Sequence, residues 1–268
     1  MGDSAAARPG TRILERLVAA VAVFSVAGGV GKTSLVAALG RVLAGHGEQV
    51  LLGETASAGL VPLYFGSRES KPGVVRTFTP PAGSANAPIH AVTLAAEEVL
   101  GKGSEKDSLA EILLRDARDS NRILVDVQTA SKTIVEGLLP LAPTVLVPLL
   151  PDLNSVMTIA SVEEIFAGRE AHAGRATEPV YLLNQFDASL PLHADVRTIL
   201  TQRLGSRLLP FVVRSSPAVS EALAEGMTVV DYAPESPVVE DYVRLANWLG
   251  SVSPVMQPGF SGVRWTER

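Results

Sequence analysis

Residues 28–34 read Gly28-Gly29-Val30-Gly31-Lys32-Thr33-Ser34, and they decide how the rest of the chain is understood. A phosphate-binding turn needs glycines so that the backbone can curl and aim its N–H groups at an anion. Behind the turn it needs a helix N-terminus, an amine for the β and γ phosphates and a hydroxyl for magnesium. Gly28, Gly29 and Gly31 meet the first need, Lys32 supplies the amine and Thr33 the hydroxyl. Val30 and Ser34 complete the candidate phosphate-binding stretch. Both flanks have the required form. Ala19–Val26 is an unbroken apolar run of the kind buried on both faces of a parallel sheet. Lys32–Ala44 carries Leu35, Leu39 and Leu43 at helical spacing.

Outward from this turn, apolar runs and helical patterns alternate as they do in βαβ units. Short strands are expected at Gln49–Leu52, Ile89–Leu94, Arg122–Val127, Thr144–Leu149, Val180–Asn184 and Arg207–Val213. Helices are expected at Ser108–Arg118, Ser131–Leu139, Ser155–Phe166, Leu192–Leu204, Pro217–Glu225 and Pro237–Leu249. The fold class is therefore α/β, a doubly wound, mainly parallel sheet flanked by helices. One such domain is expected over 17–250. Residues 1–16 read as a loose N-terminal tail and 251–268 as an irregular C-terminal one, where Pro254, Pro258, Gly259 and Gly262 oppose a helix. The stretch Ser67–Ala87, rich in Pro, Gly and Ser, reads as a long loop.

Composition removes several classes of function. The 268 residues include 23 glycines and 18 prolines, about 15% together, well short of the roughly 25–30% of low-complexity disorder. With no cysteine, a disulfide scaffold, an iron–sulfur site and a thiolate zinc site are all excluded. The four histidines show no metal-ligand spacing. A formal net charge of -5 argues against a dedicated nucleic-acid binder. Arg197, Arg203, Arg207 and Arg214 leave open a local basic strip, with a solvated face as the plainer alternative. The uncharged stretch Leu17–Gly31 is broken by Gly28 and Gly29 and falls below the roughly 18–20 apolar residues that cross a bilayer. Arg8, Arg12 and Arg16 ahead of it imitate a signal peptide, but a buried strand feeding the glycine turn accounts for the same residues.

Two acids bear on the metal. Asp126 ends the apolar run Ile123-Leu124-Val125, where a carboxylate can hold magnesium through water. Glu54 ends the second expected strand, and two roles are open for it: an outer-shell partner of the metal, or a solvated strand end.

The strand–GGVGKTS–helix pattern resembles the deviant Walker A motif of the MinD/ParA group of P-loop ATPases. Val147-Pro148-Leu149-Leu150-Pro151-Asp152 resembles the group's strand-then-proline segment beyond Walker B. Asn184 matches the asparagine that reads the adenine edge, and Leu208-Leu209-Pro210 through Ala222 resembles the adenine-side loop and helix. Asn184 and Pro210 thereby join the candidate nucleotide contacts. Within the group, RLLPFVVRSSPAVSEALAEGMTVVDY at 207–232 and EQVLLGETASAGLVPLYFG at 48–66 are similar to the cellulose synthase operon family BcsQ, also called YhjQ.

The resemblance implies ATP and Mg²⁺ as cofactors and a homodimer with the nucleotides at its interface. It also implies regulatory subunits of a cellulose synthase complex as partners. The expected location is cytoplasmic, at the inner face of the plasma membrane through those partners and without an anchor of its own. A ParA-like DNA-positioning ATPase is the alternative, and a metabolic P-loop ligase a more distant one. Two departures stand out. The group's signature lysine, just before the double glycine, is Ala27 here. Its water-orienting aspartate after the second strand is Ala56. Binding is expected to survive both changes, while hydrolysis is slow or lost unless neighbouring residues substitute.

Overall fold

A computed structural model describes residues 18–95, 108–117, 119–128, 131–168, 170–171 and 175–255. The expected N-terminal tail and residues 256–268 of the expected C-terminal one lie outside them. The strands are β1 (Ala19–Phe24), β2 (Val50–Glu54), β3 (Arg76–Phe78), β4 (Ile89–Thr93), β5 (Arg122–Val127), β6 (Thr144–Leu149), β7 (Glu170–Ala171), β8 (Arg175–Ala176), β9 (Val180–Phe186) and β10 (Leu208–Arg214). The helices are α1 (Lys32–Gly45), α2 (Leu109–Asp116), α3 (Lys132–Leu138), α4 (Leu153–Phe166), α5 (Pro191–Leu204), α6 (Ala218–Ala224), α7 (Val229–Tyr232) and α8 (Pro237–Val252).

Eight strands form one sheet in the order β10-β9-β6-β1-β5-β2-β4-β3. All pairings are parallel except that of β3 with β4. β1 lies in the interior, paired with β5 on one side and β6 on the other. Its continuous apolar sequence follows from that position, because alternate side chains enter different cores. Ala20, Ala22 and Phe24 face a layer built by α2, α3, α4 and α5 through residues such as Leu113, Ile134, Ile159 and Leu200. Val21 and Val23 face the opposite layer, where α1 contributes Leu35, Leu39 and Leu43 and α8 contributes Tyr242, Leu245 and Leu249. Each buried Val, Leu, Ile or Phe side chain here contributes roughly 1.5–3 kcal/mol relative to exposure. The result is a three-layer α/β/α domain. α1 sits so close to the sheet that a Cβ at Gly40 would stand 2.6 Å from Leu52 Cδ2.

Arg122 opens β5 and is fully buried. Its Nε donates to Glu48, and its Nη2 donates to the Ser253 carbonyl at 3.1 Å, tying the sheet to the end of α8. α8 therefore continues to Val252, two residues beyond the expected domain boundary. The stretch expected to be one loop, Ser67–Ala87, contains β3, which extends the sheet by pairing with Ile89, His90 and Ala91. α4 starts at Leu153 rather than Ser155, because the Asp152 carboxylate accepts the Ser155 N–H at 2.7 Å as an N-cap. The C-terminal ends of the parallel strands gather the glycine turn, Glu54, Asp126 and Asn184 at one edge of the sheet, where open α/β folds bind ligands.

Candidate functional site

The turn between β1 and α1 is shaped by its own polar groups. Ser25 Oγ accepts the Ala27 N–H and donates to the Ala27 carbonyl, both at 3.1 Å. Gly31 caps α1 with φ 83°, a left-handed conformation, and a Cβ there would meet Asn184 Nδ2 at 2.7 Å. Only glycine satisfies both constraints. Asn184 Nδ2 donates to the Val30 carbonyl at 2.8 Å, so the end of β9 holds the turn in place. The turn lines a cleft of about 450 Å³ together with Tyr64, Gln128, Asn184 and the segment Arg214–Ser216.

Thr33 Oγ1 donates to Asp126 Oδ2 at 2.6 Å across the floor of this cleft. Burial is the largest influence on Asp126 and raises its pKa, opposed by hydrogen bonds from Thr33 and Gln128 and by the Lys32 charge. Burial likewise lowers the Lys32 pKa, opposed by Asp126. Asp126 Oδ1 is buried with no hydrogen-bond partner. A hydroxyl beside a buried carboxylate with a vacant oxygen is a hard oxygen donor set that fits magnesium.

Glu54 is not a solvated strand end. It is fully buried, and its Oε2 accepts the N–H groups of Leu60 at 2.7 Å and Val61 at 3.0 Å. It pairs in register with Asp126 on the neighbouring strand. Desolvation, the first cause, pushes its pKa from the usual 4.5 up to about 7, the two backbone N–H bonds pull it down, and Asp126 adds to the rise. A raised carboxyl pKa means that the folded chain keeps a proton the unfolded chain has lost. The associated loss of stability is absent below about pH 4.5, grows between 4.5 and 7 and is complete above 7. The shift corresponds to about 3 kcal/mol. Glu54→Gln is therefore expected to flatten the fall in thermal stability between pH 5 and pH 8. Parallel pH-melting profiles of the two proteins would refute this assignment.

The remaining candidates separate clearly. Ser34 lies in the cleft, its hydroxyl 2.7 Å from that of Tyr64, which belongs to the 3-10 turn Val61–Phe65. Val30 contributes its backbone to the cleft and its side chain to the core. Gly28 is exposed and stands outside the cleft lining. Pro210 also stands outside it: it is the third of seven residues in β10, exposed, and its carbonyl accepts from Arg197. With about 3.3 Å per residue, Pro210 lies roughly 13 Å before the strand end that meets the cleft. Arg214 occupies that end instead.

Two of the four arginines are paired with acids, and Arg197 and Arg203 remain exposed cations held by backbone carbonyls. Arg214 is held by Asp241 and Glu240, Arg207 by Glu163, Arg203 by the Val156 carbonyl, and Arg197 by the Pro210 carbonyl with its guanidinium over Phe186. Gln128 is the residue that sequence reasoning missed. Its Nε2 donates to Thr33 Oγ1 at 2.7 Å and to Asp126 Oδ2 at 2.6 Å. Its only sequence signal is its place two residues after Asp126.

A strand–GGVGKTS–helix turn, facing a strand-end aspartate across a parallel sheet, defines a P-loop protein of the MinD/ParA architecture. Solved structures share it. MinD from Pyrococcus horikoshii OT3 in complex with Mg-ADP aligns at TM-score 0.64 and 17% identity, over 87% of this chain and 96% of that one. McdA(D38A) from Cyanothece in complex with ATP aligns at 0.65 and 14%, over 90% and 98%. A ParA family ATPase from Chlorobium tepidum TLS aligns at 0.65 and 18%, over 87% and 99%. A search of curated sequences gave no match. The family profile described as "Cellulose biosynthesis protein BcsQ" matches residues 18–249, and the chain belongs to this family.

Proposed function

We propose that this chain is an ATP- and Mg²⁺-binding regulator that supports the assembly, localisation or activity of a bacterial cellulose synthase, acting as a nucleotide-sandwich dimer. The observation that carries the nucleotide part is the Thr33–Asp126 pair at 2.6 Å, with Asp126 Oδ1 unpartnered, beneath a cleft lined by Thr33 and the glycine turn. The Mg-ADP and ATP complexes of the structural relatives support the choice of ligand. Lys32, the backbone of Gly29–Ser34 and the Ser34 hydroxyl would hold phosphates, and Thr33 and Asp126 would hold the metal. Glu54 stands in register with Asp126 and holds the backbone of residues 60–61 beside the cleft. Bound magnesium supplies a Lewis acid that neutralises phosphate charge. Asn184 serves first to fix the turn, and the nearby cleft wall is where a base fits.

Family membership carries the cellulose part. Co-purification from cellulose-producing cells tests it. Tagged chain loaded with ATP is expected to retain regulatory subunits of the synthase, and Lys32→Ala to lose them. Equal recovery with both proteins would detach the interaction from nucleotide. No helix among the described residues is long and apolar enough to cross a membrane, so membrane recruitment is assigned to partners.

Exposed apolar residues support the dimer. Leu153 is 72% exposed and Met157, one turn later on α4, is 67% exposed. Leu190 and Leu192, at the start of α5, are also exposed. α4 follows β6 and α5 follows β9, so these residues sit at the strand ends that carry the cleft. Light scattering with ATP and Mg²⁺ is expected to show a doubled mass. The double variant Leu153→Asp, Met157→Asp is expected to stay monomeric while still binding ATP. A monomer at high micromolar wild-type protein with saturating nucleotide would refute the dimer.

A further inference from the structure

Gln128 holds the point where the two candidate metal contacts converge. It follows the last residue of β5, and its backbone N–H donates to Thr55 Oγ1 at 3.2 Å, which pins the main chain to the end of β2. The half-buried side chain turns back into the cleft. There Nε2 donates to Thr33 Oγ1 at 2.7 Å and to Asp126 Oδ2 at 2.6 Å, while Thr33 Oγ1 donates to the same carboxylate oxygen at 2.6 Å. An amide nitrogen has two protons, and this triangle uses both.

The carboxylate and the hydroxyl are hard oxygen donors, and here they receive the partial positive charge of an N–H₂ group. Magnesium demands near-ideal geometry at roughly 2.0–2.1 Å, and the lone pairs that Thr33 Oγ1 and Asp126 Oδ2 give to the N–H₂ group are not available to it. We infer that Gln128 is a latch on the metal position: its amide stands in for the cation at Thr33 Oγ1 and Asp126 Oδ2, and its hydrogen bonds there compete with magnesium. The latch satisfies Oδ2 alone. Oδ1 stays without a partner, so the carboxylate is incompletely compensated and a divalent cation remains the better occupant. Magnesium binding is consequently weakened by the hydrogen bonds it must displace, and metal without nucleotide holds poorly. The inference rests on the nucleotide function proposed above.

Binding of a fluorescent ATP analogue, followed by anisotropy across a magnesium titration and in excess EDTA, tests it on three full-length proteins: wild type, Gln128→Ala and Gln128→Met. Met keeps the length of the side chain and cannot donate, so it serves if the alanine variant folds poorly. Both variants are expected to reach half-maximal metal-dependent binding at about tenfold less magnesium, equivalent to about 1.4 kcal/mol, with unchanged affinity in EDTA. Magnesium alone is expected to raise the melting temperature of the variants more than that of wild type. An unchanged magnesium midpoint would overturn the latch by showing the contact to be idle. A higher midpoint would overturn it by making Gln128 a support for the metal. Wild-type protein that binds the analogue neither with magnesium nor in EDTA would overturn the nucleotide function itself, and the latch with it.

Discussion

Lys32→Ala is expected to weaken ATP binding by roughly 100-fold, the equivalent of losing one strong charge-assisted contact. It is expected to do so without unfolding the protein. Lys32 is the first residue of α1, directly after the Gly31 cap, and is 7% exposed. A cation at a helix N-terminus opposes the helix dipole, and alanine is the best helix former, so local propensity favours the variant. Burial also disfavours the charged amine, as its lowered pKa shows. The lysine is held at a cost to the free chain, which is the pattern of a residue kept for a ligand. Titration calorimetry with ATP and Mg²⁺, paired with thermal melting, decides the matter. A folded variant with unchanged affinity would remove Lys32 from the phosphate site.

The sequence carried the architecture because local signals and tertiary outcome agree in this chain. β1 is an unbroken apolar run, α1 carries Leu35, Leu39 and Leu43 at helical spacing, and the glycine turn joins them, so the framework of the site was legible. Asp126 was legible because it ends the apolar run Ile123-Leu124-Val125. The parts that were not legible depend on partners distant in sequence. β3 is three residues long and exists because it pairs with β4. α7 has four residues, too few for helical periodicity to register. Glu54 looks like a solvated strand end until the backbone of residues 60–61 folds over it. Pro210 lies within a segment that resembles an adenine-side loop, but the register of β10 places it before the cleft. Gln128 has a neutral side chain with no motif spacing, and only the geometry joins it to Thr33 and Asp126.

Turnover of ATP by the isolated protein is expected to be very slow, on the order of 10⁻³ s⁻¹ or below, the range of P-loop enzymes that lack a completing cation. Phosphoryl transfer depends on placing the attacking water and neutralising the charge on the transferring group. Neither function has an evident residue here. Among the described residues lining the cleft none is an aspartate or glutamate, and the nearby carboxylates lie beneath it, Asp126 bonded to Thr33 and Gln128 and Glu54 to the Leu60 and Val61 N–H groups. Ala56 stands where the related group has its aspartate, in the segment that Glu54 ties down from below. Ala27 stands where the signature lysine would reach a partner's nucleotide, and Ser25 fixes its backbone. Arg214 lines the cleft, but its guanidinium is committed to Asp241, Glu240 and the Pro237 carbonyl. Loss of one charge-neutralising group costs on the order of 10³ in rate in related chemistry. A phosphate-release assay on the wild-type protein, beside the double variant Ala27→Lys, Ala56→Asp, measures both sides of this expectation. The double variant should hydrolyse ATP at least about tenfold faster, with the gain abolished by adding Lys32→Ala. Brisk turnover by the wild-type chain that Lys32→Ala abolishes would mean that other residues, Gln128 first among them, replace the missing pair. Slow turnover would make the ATP-bound dimer a long-lived docking surface for its partner, released by a partner that completes the site or by exchange of nucleotide.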